Sequence, residues 1–203
     1  MITIIDYKAG NIRSIQNMLR KLGYQSQISD KVETIAAAEK LILPGVGSFD
    51  HGVEQLQTSN LFDTIVEKAT NGTPLLGICL GAQLMGLNSE EGKQSGLGFF
   101  NMRNVKFDTN RLNLQQKVPH MGWSHINLRK NSSIINNQSE DHRYYFVHSY
   151  HFSTDDAAIV SATCNYAYEF PCGLEKGNIF ALQFHPEKSH RYGMEILKKF
   201  AEL

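Results

Sequence analysis

The chain has 203 residues, with 20 basic and 20 acidic side chains and therefore no formal net charge. Its hydrophobic fraction of 41% is typical of a globular domain, and a chain of this length needs no metal or disulfide to build a core. The balanced charge argues against a nucleic-acid binder or a membrane-surface binder, since both kinds of protein usually carry a basic excess.

The cysteine content and the N-terminal segment indicate in which cellular compartment the protein is expected. The three cysteines, Cys79, Cys164 and Cys172, are too few and too scattered for a disulfide framework, and an odd number leaves at least one thiol free. No apolar run approaches the roughly 20 residues of a membrane helix, and Asp6 interrupts what would be the apolar core of a signal peptide. We therefore expect a cytoplasmic protein with no membrane partner.

The first half of the chain alternates short apolar runs with helical patterns. Buried strands are predicted at residues 2–6, 24–28, 40–43 and 74–78. Helices are predicted at residues 12–22, 61–69 and 80–87, the first of them with Asn11 as its N-cap. This alternation indicates parallel βαβ units around a central sheet.

The second half has a different pattern. Helical spacing disappears between residues 101 and 165, and short β-like runs occur at 104–107, 126–128, 144–148 and 159–162. The polar stretches 108–117 and 129–143 are predicted loops. A strand at 179–184 and a helix at 193–203 complete a single domain, residues 1–203. The predicted fold is α/β, with a mostly parallel central sheet flanked by helices and an antiparallel β elaboration in the second half.

A glycine-flanked cysteine lies between a predicted strand and a predicted helix, in Gly77-Ile78-Cys79-Leu80-Gly81. This spacing is the sequence form of a nucleophile elbow, in which a sharp turn exposes the nucleophile above the sheet. The positive end of the following helix favours a thiolate, and its free N–H groups stabilise a developing oxyanion. A buried structural cysteine is the alternative interpretation of Cys79 taken alone.

The base that a thiol nucleophile needs is predicted at His185. His185 follows a predicted strand, and residues two apart on an extended chain project to the same face, so Glu187 is expected beside it. Pro186 favours an extended conformation for the preceding histidine. In this arrangement Glu187 accepts a hydrogen bond from one ring nitrogen and fixes the tautomer that faces Cys79.

A glycine-rich turn, Pro44-Gly45-Val46-Gly47, follows another predicted strand. Its two glycines permit backbone conformations that direct an N–H group toward a developing oxyanion. An ordinary turn explains the same residues when the segment is taken alone.

Taken together, these segments resemble the class I (triad) glutamine amidotransferases, over essentially the whole chain. Within that family the chain is similar to the glutaminase subunits of imidazole glycerol phosphate synthase. The segments that carry this narrower resemblance are 6–11, 44–47, 119–123, 145–150 and 183–188. Ser124 and Lys8 depart from the family pattern, which usually has Asn and often has Gly at these positions.

The resemblance implies a glutaminase mechanism without a cofactor or a metal. Cys79 attacks the side-chain amide of glutamine, His185 relays protons, and Glu187 orients His185. The positions that match the oxyanion hole and the substrate-binding residues of the family are Gly45, Val46, Gly47, Leu80, Gln83, Ser149 and Tyr150. Of these, the resemblance implies that the backbone N–H groups of Leu80 and Val46 are the two oxyanion donors.

The resemblance also implies a partner. In the family the glutaminase docks on a barrel-shaped synthase (cyclase) subunit as a heterodimer, and the ammonia is used to make imidazole glycerol phosphate and AICAR in histidine biosynthesis. The positions that match the partner-facing side are Asn11, His120, Met121, Gly122 and Trp123. Tryptophan is enriched at interface hot spots, although a core position is the alternative for Trp123.

Other functions stay open at this point. The same glutaminase chemistry is compatible with a different amidotransferase partner, such as a sugar amidotransferase, or with a stand-alone cysteine hydrolase. A non-catalytic regulatory subunit is a further possibility, which the intact Cys79, His185 and Glu187 argue against. His148 and His151 do not predict a metal site, because they face opposite ways on a strand and no Cys or acidic cluster accompanies them.

Overall fold

The computed structural model describes residues 1–10, 12–135 and 143–203. Its strands are β1 (Ile2–Ile5), β2 (Ser26–Ser29), β3 (Lys40–Leu43), β4 (Leu75–Ile78), β5 (Asn88–Ser89), β6 (Arg103–Lys106), β7 (His120–Leu128), β8 (Arg143–His148), β9 (Tyr150–Ser153), β10 (Val160–Tyr166), β11 (Tyr168–Lys176) and β12 (Ile179–Leu182). Its α-helices are α1 (Ile12–Lys21), α2 (Val32–Ala36), α3 (Phe49–Thr58), α4 (Leu61–Thr70), α5 (Leu80–Gln83) and α6 (His190–Glu202). None of these described helices has the length and apolar character needed to cross a membrane.

Nine of the strands in the described ranges form one sheet, in the order β2-β1-β3-β4-β12-β11-β10-β7-β8. Neighbouring strands from β2 to β12 run parallel, and those from β12 to β8 run antiparallel. β5, β6 and β9 form a second, smaller sheet. The predicted fold class, a mostly parallel sheet with an antiparallel part in the second half, is confirmed.

Apolar side chains of the parallel strands point alternately into two cores. On β3, Leu41 and Leu43 belong to one core and Ile42 to the other. Helices α2 to α5 complete the first core, whereas α1 and α6 complete the second. Because both faces of the central strands are covered, these strands are continuously apolar rather than alternately apolar and polar.

One predicted helix, 80–87, is too long. Helix α5 ends at Gln83, and the chain then turns. The carbonyl groups of Leu84 and Met85 accept hydrogen bonds from the N–H groups of Leu97 and Phe99, at 2.7 and 2.9 Å. Tertiary hydrogen bonds to a later segment therefore replace the next turn of the helix, and local spacing does not reveal them.

The sequence analysis missed α2, α3, β5, β9 and β11. Helix α3 does carry a helical pattern, since Phe49, Val53 and Leu56 are spaced along one face and all are completely buried. Strand β11 contains Pro171, a residue that argues against a strand interior, and the register with β10 shifts beside it. The predicted runs 126–128 and 159–162 belong to the longer strands β7 and β10.

We expect Leu76→Ala to lower the free energy of unfolding by about 2–5 kcal/mol, because the substitution leaves a cavity at a completely buried position of β4. Urea unfolding followed by circular dichroism measures the change. Leu114→Ala, the same substitution at a fully exposed position, is the control and should change it by less than about 0.5 kcal/mol. Equal losses in the two variants would contradict the assignment of Leu76 to the core.

Candidate active site

Cys79 lies in the sharp turn between β4 and α5. Its backbone has φ 53° and ψ −112°, a conformation that L-residues rarely adopt. The turn is possible because Gly81 packs directly on β3: a Cβ there would lie 1.9 Å from the carbonyl oxygen of Leu43. The Cys79 N–H donates to the carbonyl of Leu182 on β12 at 2.8 Å, which anchors the turn to the sheet. This is the geometry of a nucleophile elbow.

The Cys79 side chain borders a cavity of about 420 Å³. Its Sγ lies 3.9 Å from the carbonyl oxygen of Val147 and 3.9 Å from Nε2 of Gln183. The residues that line the cavity are Val46, Gly47, Cys79, Leu80, Gln83, Glu91, Pro119, Val147, His148, Ser149, Tyr150 and Lys188. Most of the predicted oxyanion-hole and substrate-binding residues are therefore in one cavity wall with the thiol.

His185 and Glu187 form a buried pair. Nδ1 of His185 lies 2.7 Å from Oε1 of Glu187, and the two side chains are 1% and 5% exposed. The expected route to this contact was wrong: Glu187 lies in a 3₁₀ turn, Pro186–Lys188, and not on an extended strand. His185 itself is extended, and its N–H donates to the carbonyl of Tyr145 at 2.9 Å. The 3₁₀ turn brings the carboxylate back to the ring nitrogen.

The ring of His185 is electrostatically coupled to both neighbours. Burial lowers its pKa, but the Cys79 thiol and the Glu187 carboxylate outweigh burial and raise the pKa to about 10. Nε2 of His185 is buried and has no hydrogen-bond partner among the described residues. Because Nδ1 is held by Glu187, Nε2 is the ring nitrogen through which His185 interacts with Cys79.

The glycine-rich turn lies against the elbow. Gly47 has φ 113°, and a Cβ on Gly45 would lie 2.2 Å from the hydroxyl oxygen of Tyr7, so both positions require glycine. The N–H of Leu80 donates to the carbonyl of Gly45 at 3.3 Å. The N–H of Leu80, one of the two predicted oxyanion donors, is therefore already bound to the turn. That turn carries the other predicted donor, the N–H of Val46.

Gln83, Ser149 and Tyr150 line the same cavity. Nε2 of Gln83 donates to the carbonyl of Tyr150 at 2.9 Å and to Oε1 of Gln183 at 3.1 Å. Nδ1 of His148 donates to the same Tyr150 carbonyl at 2.8 Å, because a carbonyl oxygen only accepts. The backbone at Tyr150 is therefore held from two sides.

Sequence reasoning missed two charged residues of the cavity wall, Glu91 and Lys188. Oε2 of Glu91 accepts a hydrogen bond from the N–H of Phe49 at 2.8 Å. Lys188 follows the catalytic carboxylate candidate directly, and its Nζ lies 5.7 Å from the ring centre of Tyr145. The acidic pair at 90–91 has no periodic or motif signal, so only its place in the fold distinguishes it from an ordinary surface charge.

The predicted partner-facing residues divide into two groups. Met121 and Trp123 are 61% and 43% exposed, and Gly122 lies between them with φ 132°. The His120 side chain is instead buried: it is 1% exposed, and its Nδ1 lies 3.0 Å from Nε2 of His148. Burial lowers the pKa of His120 to about 4, so the ring is neutral at physiological pH. Asn11 lies outside the described residues.

The described residues contain no group of three or more His, Cys, Asp or Glu side chains that is able to hold a metal ion. His148 and His151 instead make hydrogen bonds within the protein: Nδ1 of His151 is 2.9 Å from the carbonyl of Phe152, and Nε2 is 2.9 Å from the hydroxyl of Tyr168.

We expect Glu187→Gln to lower the pKa of His185, because the carboxylate is one of the groups that raise it. In the unsubstituted protein the ring keeps its proton through neutral pH and loses it as the pH rises through about 10; in the variant the loss should move to lower pH. NMR titration of the His185 ring measures the shift. Glu33→Gln on the exposed side of α2 is the control, and an unchanged titration in Glu187→Gln would contradict the coupling.

Comparison with known proteins identifies the family of the chain. The family model described as glutamine amidotransferase class-I matches residues 3–203. The imidazole glycerol phosphate synthase subunit HisH 2 of Pseudomonas aeruginosa is 44% identical over 204 residues, covering 100% of each chain. The subunit of the same name from Methanococcus maripaludis is 45% identical and covers 98% of each chain.

Solved structures share the fold. A structure described as a glutamine amidotransferase has a TM-score of 0.72 at 18% identity, covering 98% of this chain and 100% of the other. The PurLQS structure from Thermotoga maritima has a TM-score of 0.70 at 18% identity, covering 99% of this chain and 97% of the other. The match to the family model and the full-length relatives show that the chain belongs to the glutamine amidotransferase class-I family, together with the HisH subunits of imidazole glycerol phosphate synthase.

Proposed function

We propose that the chain is a glutaminase subunit of imidazole glycerol phosphate synthase, which hydrolyses glutamine to glutamate and ammonia for histidine biosynthesis. The observation that carries this proposal is the Cys79 thiol, presented by a strained elbow at a cavity and coupled to the His185–Glu187 pair. Relatives that are 44–45% identical over nearly the whole chain are named as subunits of that synthase. We place the protein in the cytoplasm, as one half of a heterodimer.

The proposed reaction proceeds in two stages. First, with the proton of the Cys79 thiol on His185, Sγ of the resulting thiolate bonds to the side-chain amide carbon of glutamine, His185 gives that proton to the nitrogen, the C–N bond breaks, and ammonia leaves. Second, water gives a proton to Nε2 of His185 while its oxygen attacks the thioester. The C–S bond then breaks, which releases glutamate and restores the thiolate. Glu187 holds Nδ1 throughout, so that Nε2 faces the reacting atoms.

Two side chains of the cavity wall match the polar groups of glutamine. Both Nε2 protons of Gln83 are used within the protein, which leaves its amide oxygen to accept a hydrogen bond from the substrate. Glu91 contributes a carboxylate, of which one oxygen is bound to Phe49 and the other is available for the α-ammonium group. Gly47, Ser149 and Tyr150 would complete the wall around the bound molecule.

The closed state of the glycine-rich turn supports a partner-dependent activity. An oxyanion hole formed by the N–H groups of Leu80 and Val46 requires Leu80 to be released from the carbonyl of Gly45. The two glycines allow the peptide to rotate. We infer that docking of a barrel-shaped synthase (cyclase) subunit favours the open turn. Direct transfer between the two sites would keep the ammonia unprotonated, since ammonium is not a nucleophile.

We expect the cognate synthase subunit, loaded with its nucleotide substrate, to raise glutamine hydrolysis by this chain roughly a hundredfold. Glutamate release measures the rate. Cys79→Ala should lower the stimulated rate by at least about a thousandfold, because it removes the nucleophile. Cys164→Ala, which removes a buried thiol outside the cavity, is the matched control and should retain the rate.

The outcomes separate the alternatives. No stimulation by the synthase subunit, together with copurification of another amidotransferase from native cells, would contradict the proposed partner. Hydrolysis of small amides at full rate by the chain alone would indicate a stand-alone hydrolase instead.

We expect Trp123→Ala to weaken binding of the synthase subunit by about tenfold or more, since an exposed tryptophan beside an exposed methionine is a typical interface anchor. Calorimetric titration of the two subunits measures the affinity. Leu203→Ala is the control: it truncates another half-exposed apolar side chain, at the end of α6. If Trp123→Ala and the control bind the synthase subunit with equal affinity, Trp123 does not contribute to the interface.

A further inference from the structure

Two short segments on one side of the cavity hold each other through reciprocal hydrogen bonds. The first is the start of α3, Phe49 and Asp50, and the second is the loop 91–94. The N–H of Phe49 donates to the carboxylate of Glu91 at 2.8 Å. In return, the carboxylate of Asp50 accepts the N–H of Lys93 at 2.9 and 3.0 Å and the N–H of Gln94 at 3.0 Å. We call this reciprocal contact the clasp.

The clasp is tightly packed. A Cβ on Gly92 would lie 1.9 Å from Oδ1 of Asp50, so the loop backbone rests directly on the carboxylate. The loop also has its own internal support, since the N–H of Glu91 donates to Oγ of Ser89 at 3.1 Å. The position of Glu91 is thus determined from both sides, by Ser89 before it and by Asp50 after it.

The clasp also serves the start of the helix. The N-cap Ser48 makes no side-chain capping hydrogen bond. The first free N–H groups of a helix carry partial positive charge, and a carboxylate there is stabilising. Glu91 supplies that carboxylate from a different segment of the chain, and Asp50 adds a second in the first turn.

We propose that Asp50 is a positioning residue for glutamine binding, which holds the loop 91–94 so that Glu91 stays aimed into the cavity. The inference rests on the proposed function, because it takes glutamine as the ligand of Glu91. One oxygen of Glu91 is committed to Phe49, so a small displacement of the loop either breaks that bond or turns the other oxygen away from the substrate. Since α3 begins directly after the Pro44–Gly47 turn, the clasp also sets the distance between Glu91 and that turn.

The test measures the Kd of glutamine for the complex of this chain with its synthase subunit, in a Cys79→Ala background that does not consume the substrate. Asp50→Ala should raise the Kd about tenfold, since it removes the hydrogen bonds that hold the loop. Glu91→Gln should raise it at least as much, because that variant loses the charge for the α-ammonium group. Asp63→Ala, which removes an exposed carboxylate from the first turn of α4, is the matched control and should leave the Kd unchanged.

Gly92→Ala perturbs the same contact from the loop side and keeps Asp50. As a single substitution, Gly92→Ala should raise the Kd. Added to Asp50→Ala it should raise the Kd little further, because the Asp50 oxygen that the new Cβ would meet is already absent. Asp50→Asn, which keeps one oxygen acceptor, should give a Kd between those of the parent and Asp50→Ala. Urea unfolding reports whether Asp50→Ala folds; if it does not, Asp50→Asn replaces it in the test.

Glutamate release by the unsubstituted complex, assayed separately, tests the proposed function. A Kd for Asp50→Ala within about twofold of the parent overturns the positioning role, whatever the turnover. The positioning role is also overturned if the effects of Asp50→Ala and Gly92→Ala on the free energy of glutamine binding are additive, or if the parent complex binds no glutamine. A tenfold rise in Kd with kcat within about twofold in the Cys79-containing enzyme supports it, since a general loss of structure lowers kcat as well.

Discussion

The parallel pairing of β4 with β12 is the constraint on which the rest of the site depends. Its register places Ile78 opposite Leu182, and the next N–H, that of Cys79, donates to the Leu182 carbonyl at 2.8 Å. Cys79 and the segment that leads to His185 therefore leave the sheet side by side at its carboxyl edge, where ligands of open α/β sheets usually bind. Residues far apart in the sequence become neighbours through one pair of strands.

Two features of the site are unfavourable for folding, and the surrounding fold offsets their free energy. A non-glycine residue held at φ 53° costs on the order of 1–3 kcal/mol, and a buried ionisable pair such as His185–Glu187 adds a desolvation cost. The two completely buried cores on either side of the sheet hold these groups in place. Glu187 holds Nδ1 of His185 at 2.7 Å, which fixes the orientation of the ring and leaves Nε2 for Cys79.

Two segments of the cavity wall differ in how firmly they are held: the loop 91–94 and the turn Pro44–Gly47. Phe49 and Asp50 bind the loop 91–94 through several hydrogen bonds, whereas the preceding turn is closed by one long bond, Leu80 N–H to Gly45 carbonyl at 3.3 Å. Glycines at 45 and 47 make that turn the easier part to rearrange. This division suits the proposed function, in which Glu91 stays in place while the N–H groups of Val46 and Leu80 reorganise.

Three features were predictable from patterns within short segments of the chain: a glycine-flanked Cys79 after a buried strand, the proximity of His185 and Glu187, and the α/β alternation. These depend on backbone conformation and periodicity within a few residues. Four other features became visible only in the folded chain: α5 stops at Gln83, His120 is buried, the carbonyl of Gly45 accepts the N–H of Leu80, and Glu91 lies in the cavity wall. Each of these features is a contact between segments distant in the sequence, and no local pattern records such a contact.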